Sequence, residues 1–141
     1  MPEADNGARI VSGQAASCDI EIRVRYAECD PMNLLHHSKY FEYFEMGRTE
    51  LLRQSGVRYR DLEARGIFFV VARVECRFKA PAFYDDSLVL TTSVLRQTRA
   101  RIDHAYRLAR DGRVLCEASS TLACVDRDGW PIAIPEDVAG R

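Results

Sequence analysis

The sequence predicts a single α+β domain in which a mostly antiparallel sheet packs with one long helix. Runs of alternating apolar and polar residues predict about five or six strands, and turn signals such as Asp111–Gly112 separate the later ones. Residues 38–54 have the spacing of apolar side chains that is typical of a long helix. Hairpin turns make consecutive strands antiparallel, and one amphipathic helix can cover one face of such a sheet.

The composition is that of one folded domain with balanced charge. The chain has 141 residues, of which 47% are hydrophobic, and a formal net charge of −1. This length favours one domain, and the balanced charge argues against binding to nucleic acid or to anionic membranes, because both need a basic face. The sequence has no apolar run long enough to cross a bilayer and no evident secretory signal, so we expect no integral membrane association.

The cysteines indicate a reducing compartment. There are five of them, an odd number without tight spacing, and no C-x-x-C pair is present. A structural zinc site is therefore not expected. We expect free thiols, a cytoplasmic location and no bound metal.

The order of the elements follows from these patterns. Residues 1–17 are small and polar without a period, so we expect a flexible tail that precedes one domain of residues 18–141. A short second helix is predicted for residues 58–65. The run 67–71 is wholly apolar, which is typical of a strand buried on both faces. The predicted strands are residues 18–27, 67–71, 74–79, 87–97, 101–110 and 113–126.

Two positions need an explanation in this scheme. Gly47 lies within the long helix, where it costs about 1 kcal/mol relative to Ala, and we expect a neighbouring strand to approach closely there. His104 stands alone among apolar residues of a predicted strand, so we expect a core or interface histidine.

The residues that can carry chemistry are concentrated where the first strand meets the long helix. Asp30, His36 and His37 lie in this polar segment, just before Ser38, a residue suited to cap the helix. A helix N-terminus has unpaired backbone N–H groups and the positive end of the helix dipole, so it stabilises negative charge, including an oxyanion. A carboxylate that faces such a point can act as a general base or a nucleophile.

At these positions the sequence resembles the 4-hydroxybenzoyl-CoA thioesterase family of hotdog-fold proteins, especially its short bacterial acyl-CoA thioesterases, including the one associated with the Tol–Pal system. The family pattern is Y-x-x-x-D-x-x-G-x-x-x-[HYN]-x-x-Y, and Tyr26, Asp30, His37 and Tyr40 keep its spacing. Asn33 stands where the family usually has Gly. Because Asn is the residue that best replaces Gly at positive φ, we expect the turn to be retained.

The resemblance implies a fold and an assembly. In that family a curved, mostly antiparallel sheet wraps one long central helix, and two copies pair into a larger sheet with active sites at the dimer interface. The resemblance therefore implies a homodimer or a homotetramer. It also implies an acyl-CoA substrate, with coenzyme A as part of the substrate rather than a cofactor.

The resemblance further implies hydrolysis of the thioester of a small or medium acyl- or aroyl-CoA. In that mechanism the Asp30 carboxylate attacks the thioester carbonyl or activates a water. The backbone N–H of His37 would bind the thioester oxygen, and its imidazole would orient water or protonate the leaving thiolate. Tyr26 would hydrogen-bond within the site.

Other interpretations of the same residues stay open. Asp30 is also a common residue type for a turn or a helix cap, His37 for an exposed first turn, and Tyr26 for a strand end. Arg127 is a candidate for contacting the phosphates of coenzyme A, or else a solvated surface residue. The alternative functions are an acyl-carrier-protein thioesterase, a hotdog enoyl-CoA hydratase and a non-catalytic acyl-CoA-binding module.

The spacing of the histidines argues against the hydratase. Hotdog hydratases resemble D-x-N-P-x-H, in which the His follows the Asp by five residues. Here His36 and His37 follow Asp30 by six and seven residues.

Overall fold

A computed structural model of the chain describes residues 17–138. These residues form five strands, two α-helices and one short 3₁₀ turn, Tyr26–Glu28. The helices α1 and α2 span His37–Gln54 and Tyr59–Ala64. The strands β1 to β5 span Ser17–Arg23, Phe68–Phe78, Ser87–Gln97, Arg101–Arg110 and Arg113–Val125.

The five strands form one antiparallel sheet in the order β1-β3-β4-β5-β2. Consecutive hairpins join β3, β4 and β5, and the predicted turn at Asp111–Gly112 has φ values of 52° and 82°. The sheet curves around α1, which contacts mainly β1 and β3. The prediction of a hotdog fold with one long central helix is confirmed.

One face of α1 is buried against the inner face of the sheet. Tyr43, Phe44 and Leu51 of the helix are almost fully buried, and Tyr43 and Phe44 pack over leucines of β3, β4 and β5. Gly47 lies where the helix comes closest to β3, as its position in the sequence predicted. Burial of this stripe is the main force that holds the helix in place, since each large side chain contributes about 1.5–3 kcal/mol.

Three predicted boundaries are wrong. The first strand ends at Arg23 rather than at residue 27, because the 3₁₀ turn replaces its last residues. The predicted strands 67–71 and 74–79 are one strand, β2, with a bulge between Val71 and Arg73. α1 begins at His37, and its N-cap is His36 rather than Ser38, because the His36 ring accepts a hydrogen bond from the Ser38 N–H.

β2 is an edge strand, and its predicted burial on both faces is wrong for the single chain. Val70 is 44% exposed and Val71 is 50% exposed. One edge of β2 pairs with β5, whereas the other has no partner strand among residues 17–138. An exposed apolar edge strand is a template for pairing with another chain.

The remaining predictions concern the ends of the chain and its cysteines. The predicted tail lies outside the described residues, except Ser17, which is the first residue of β1. All five cysteines are free, as expected. In the described part of the chain, no helix is both long enough and apolar enough to cross a membrane.

Candidate active site

The segment between the 3₁₀ turn and α1 folds into a small hairpin, residues 28–36, here called the active-site hairpin. Cys29 and Leu35 form an isolated antiparallel bridge across it. The Asp30 N–H donates to the Leu34 carbonyl at 2.8 Å. This ladder carries Asp30 on one arm and leads directly into α1 on the other.

Asp30 uses one carboxylate oxygen to hold the tip of the hairpin. Its Oδ1 accepts hydrogen bonds from the N–H groups of Met32, at 2.8 Å, and Leu34, at 3.1 Å. Asn33 has a φ of 69°, so the expected replacement of Gly by Asn at a left-handed position is confirmed. The side chain of Asp30 is half-buried, and its Oδ2 has no hydrogen-bond partner within residues 17–138. Oδ1 therefore stabilises the hairpin, and Oδ2 can act as a base or a nucleophile.

At the start of α1, the described part of the chain provides no acceptor for one backbone donor. The His36 ring accepts from the Ser38 N–H at 3.2 Å, and the His36 carbonyl accepts from the Lys39 N–H at 2.9 Å. In the described residues the His37 N–H has no acceptor. The exposed His37 ring stacks on that of His36, with ring centroids 4.3 Å apart. An unpaired N–H at the positive end of a helix dipole is suited to bind a developing oxyanion.

A buried carboxylate that the sequence analysis did not single out lies at the base of the active-site hairpin. Glu28 is only 5% exposed. Its Oε1 accepts from the Tyr43 hydroxyl at 2.7 Å and the Arg25 N–H at 2.8 Å, and its Oε2 accepts from Arg25 Nε at 3.1 Å. Burial by itself raises the pKa of Glu28, but the hydrogen bonds from Arg25 and Tyr43 outweigh it and hold this pKa below its ordinary value. The only signal in the sequence is Tyr43 on the inner side of the helix, where a buried hydroxyl needs a partner.

Tyr26 lies outside this hydrogen-bonded unit. The 3₁₀ turn points its ring outward, where it is 77% exposed and makes an edge contact with Tyr84, with ring centroids 5.6 Å apart. Its hydroxyl makes no hydrogen bond in the described residues, so the structure does not join Tyr26 to Asp30 in this way. A role for Tyr26 in the site stays a prediction.

Arg127 lies beside α2 rather than beside the active-site hairpin. Its Nη2 donates to the carbonyls of Glu63, at 3.2 Å, and Ala64, at 3.4 Å, and its guanidinium lies 5.7 Å from the centre of the Phe68 ring. These contacts satisfy carbonyls at the C-terminal end of a helix. Contact between Arg127 and coenzyme A phosphates stays a prediction.

A second polar group lies under the other half of α1. Arg48 Nη1 donates to the Tyr106 hydroxyl at 3.4 Å, and that hydroxyl lies 2.6 Å from Ser120 Oγ. His104 is buried nearby, as expected. Burial, and then the charge of Arg48, lowers the pKa of His104 to about 4, so the imidazole is neutral near pH 7.

Within residues 17–138, Asp30 belongs to no metal-binding cluster, and it does not line the cavity beside α2. Among residues 17–138, no group of three or more His, Cys, Asp or Glu side chains lies close enough to hold a metal ion. A cavity of about 280 Å³ lies between α1, α2 and the sheet, but Asp30 and His37 do not line it. A substrate at the active-site hairpin therefore needs walls beyond those of that cavity.

The curved antiparallel sheet around one long helix defines the class as a hotdog-fold protein, with a carboxylate-bearing hairpin at the helix N-terminus. The chain belongs to the thioesterase-like superfamily, whose pattern matches residues 24–141. The predictions of family, fold and enzyme class are confirmed.

Individual relatives agree with this assignment. The chain is 33% identical over 119 residues to the acyl-CoA thioesterase YbgC of Haemophilus influenzae, covering 83% of this chain and 88% of that one. It is 31% identical over 111 residues to the putative acyl-CoA thioesterase YneP of Bacillus subtilis, covering 78% of this chain and 80% of that one. The crystal structure of a probable thioesterase from Bartonella henselae matches with a TM-score of 0.81 and 32% identity, covering 85% of this chain and 100% of that one.

Proposed function

We propose that this protein hydrolyses the thioester of a small or medium acyl- or aroyl-CoA, with Asp30 as nucleophile or general base. One observation carries the proposal: within residues 17–138, the active-site hairpin presents a carboxylate oxygen of Asp30 that has no hydrogen-bond partner and leads into α1, whose His37 N–H likewise has none. The names of the relatives from Haemophilus influenzae and Bacillus subtilis support acyl-CoA as the substrate class.

In the proposed reaction the thioester carbonyl lies between these two groups. Its oxygen accepts from the His37 N–H, and the dipole of α1 stabilises the oxyanion that forms. Asp30 Oδ2 either attacks the carbonyl carbon or takes a proton from an attacking water. In the first route the C–S bond breaks, coenzyme A thiolate leaves, and water cleaves the resulting mixed anhydride.

The supporting contacts have separate parts in this mechanism. Asp30 Oδ1 stays bound to the N–H groups of Met32 and Leu34, which fixes the direction of Oδ2. The exposed imidazole of His37 orients water or protonates the leaving thiolate. The reaction as written needs neither a metal nor an organic cofactor.

The proposal includes a homodimer that forms along β2 and completes the active site. One edge of this strand has no partner among residues 17–138, and this edge and the exposed valines support pairing with a second copy. Antiparallel pairing centred on Val74 places Arg73 opposite Glu75 of the second copy, so that opposite charges meet on both sides of the centre.

The same pairing brings the second copy close to the active-site hairpin. The ring of Phe78, near the end of β2, makes an edge contact with that of Tyr40 in the first turns of α1, with centroids 4.8 Å apart. A strand added along β2 therefore approaches the N-terminus of α1 and can supply walls for a substrate bound there. The five free cysteines support a reducing, cytoplasmic location for this activity.

Release of free thiol from a panel of acyl-CoA substrates tests the proposed function. A thioesterase liberates coenzyme A thiol from at least one of them. An enoyl-CoA hydratase changes only the enoyl absorbance, and a binding module retains acyl-CoA without either change. A carrier-protein thioesterase acts on acyl carrier protein and leaves the acyl-CoA panel intact.

Asp30→Asn is the sharpest variant because the side-chain oxygen of Asn can still accept from Met32 and Leu34. We expect kcat to fall by about 10²–10⁴-fold, the range for a lost general base, while acyl-CoA binding is retained. Asp126→Asn is a matched control, since Asp126 Oδ1 likewise accepts two backbone N–H groups, those of Asp128 and Trp130, in a turn of another part of the fold. Unchanged turnover in Asp30→Asn would remove Asp30 from the mechanism.

A further inference from the structure

Glu28 connects the active-site hairpin to α1 at two points. Its backbone carbonyl accepts from the His36 N–H at 2.9 Å, which closes the base of the hairpin just before the helix. Its carboxylate accepts from the Tyr43 hydroxyl at 2.7 Å, in the second turn of the helix. Asp30 follows two residues later on the same arm. The position of Asp30 relative to the helix start therefore depends on the position of Glu28.

We propose that Glu28 is a positioning residue for the reaction: its buried carboxylate, held by Tyr43 and Arg25, fixes Asp30 relative to the N-terminus of α1. This inference rests on the proposed function. Glu28 does not touch substrate; it acts through the hairpin. Without the link to Tyr43, the hairpin keeps its ladder and the bond from the Leu35 N–H to the Ala82 carbonyl. The arm that carries Glu28 and Asp30 loses its side-chain tie to α1, so Asp30 Oδ2 shifts relative to the His37 N–H.

The charged and titratable groups that face Glu28 come from three places. Arg25 precedes it, Tyr43 comes from α1, and Cys29 is its neighbour in the hairpin. Burial, then the charge of Asp30, then that of Glu28 raises the pKa of the Cys29 thiol, which is therefore neutral. The ion pair of Glu28 with Arg25 has an N–O distance of 3.0 Å but involves a largely exposed guanidinium, so solvent weakens it. The buried hydroxyl of Tyr43 is therefore the principal link between the Glu28 carboxylate and α1.

Tyr43→Phe tests this link because it deletes a single oxygen atom. Tyr106→Phe is the matched control, since its buried hydroxyl lies 2.6 Å from Ser120 Oγ, under the other half of α1. We expect both variants to lower Tm. Only Tyr43→Phe should lower kcat, by about tenfold to a hundredfold with KM unchanged, because a shift of about 1 Å in a catalytic group has effects of that size.

The pH profile separates positioning from a general loss of stability. A hydrogen bond to the charged form of a carboxyl lowers its pKa, so loss of the Tyr43 hydroxyl raises the pKa of Glu28. The ratio of the kcat of Tyr43→Phe to that of the wild type should therefore fall further as the pH is lowered from 7 toward about 4.5. Glu28→Gln keeps an acceptor but does not titrate, so we expect it to retain more activity than Glu28→Ala and to lack this additional fall.

The outcomes separate this inference from the proposed function. Wild-type kcat in Tyr43→Phe, or an equal loss of kcat in Tyr106→Phe, overturns the positioning role of Glu28. A wild type that releases no thiol, or an Asp30→Asn variant with full turnover, overturns the proposed function, and the positioning role falls with it. Should Glu28→Gln fail to fold, Tyr43→Phe alone decides.

Discussion

Gly47 of α1 lies directly against Thr92 of β3. A Cβ atom added to Gly47 would be 2.2 Å from Thr92 Oγ1 and 2.8 Å from Leu90 Cδ2. Thr92 is fully buried, and its hydroxyl has no hydrogen-bond partner in the described residues. At this point the helix lies so close to β3 that there is no room for a side chain on residue 47. The contact therefore fixes the distance between α1 and the sheet.

Gly47→Ala should therefore destabilise the protein despite the better helix propensity of Ala. The gain in propensity is about 1 kcal/mol, whereas forcing a methyl group into a packed core costs about 1–3 kcal/mol, and here the nearest atom belongs to a stiff β-branched residue. Denaturant unfolding measures the difference. Thr92→Ala removes the clashing oxygen, so the double variant should be more stable than Gly47→Ala alone; equal stabilities would show that the contact does not limit the packing.

Asn33 should tolerate Gly but not Ala. Its φ of 69° lies in the left-handed region, where a side chain other than Asn or Asp costs about 1–2 kcal/mol. We expect Asn33→Gly to retain stability and turnover, and Asn33→Ala to lower the free energy of unfolding by about 1 kcal/mol. Since the turn also orients Asp30, the kcat of Asn33→Ala should fall as well. An Ala variant as stable as the wild type would mean that this backbone conformation is relaxed in solution.

The fold was largely predictable because its strands alternate cleanly and its turns carry their own signals. The predicted ranges 87–97 and 101–110 match β3 and β4, and β5 ends one residue before the predicted boundary. β2 was not predictable in the same way. An apolar run such as 67–71 is compatible both with a strand covered on two faces and with an edge strand that a second chain covers, and one sequence does not distinguish them.

The site was predictable only in part, for a local reason. Asp30 and His37 were singled out by residue type and by their position before the helix, and Asn33 by comparison with the family pattern; both signals depend on the chain order alone. The first strand, however, was predicted to continue through Tyr26 to residue 27, with the same alternation of inward and outward side chains. The 3₁₀ turn changes the phase at that point, so Tyr26 faces solvent and Glu28 faces the core. The sequence has no marker for this change of phase.

His104 should make stability depend on pH in the weakly acidic range. Its pKa is about 4 in the folded protein and 6.5 in the unfolded chain, so between these values the unfolded chain binds a proton that the folded protein does not. The free energy of unfolding should therefore fall as the pH drops from about 6.5 to about 4, by about 3 kcal/mol in full. His104→Gln removes the titrating group, so the free energy of unfolding of this variant should change less over this range. If the free energies of unfolding of the two proteins fall in parallel with pH, His104 is not the group responsible.

Val74→Lys should convert the proposed dimer into a folded but inactive monomer. Val74 is exposed on β2 in the single chain, so a charged side chain there leaves the monomer's core intact while opposing the pairing of two identical edges. Leu95→Lys is the control, because it makes the same kind of change, from an apolar to a charged side chain, at an exposed residue of β3. It should not change the assembly. Sedimentation or light scattering gives the mass, and thiol release gives the activity of each variant.

A charge exchange tests the register of that pairing. Arg73→Glu places like charges opposite each other when two copies pair about Val74, so it should weaken the dimer. Adding Glu75→Arg restores opposite charges both across the interface and within the strand, where Arg73 and Glu75 already contact each other. The double variant should therefore recover both the dimer and the turnover. A double variant that dimerises no better than Arg73→Glu would exclude the register centred on Val74, and a stable, active dimer in Val74→Lys would show that the interface does not lie along β2.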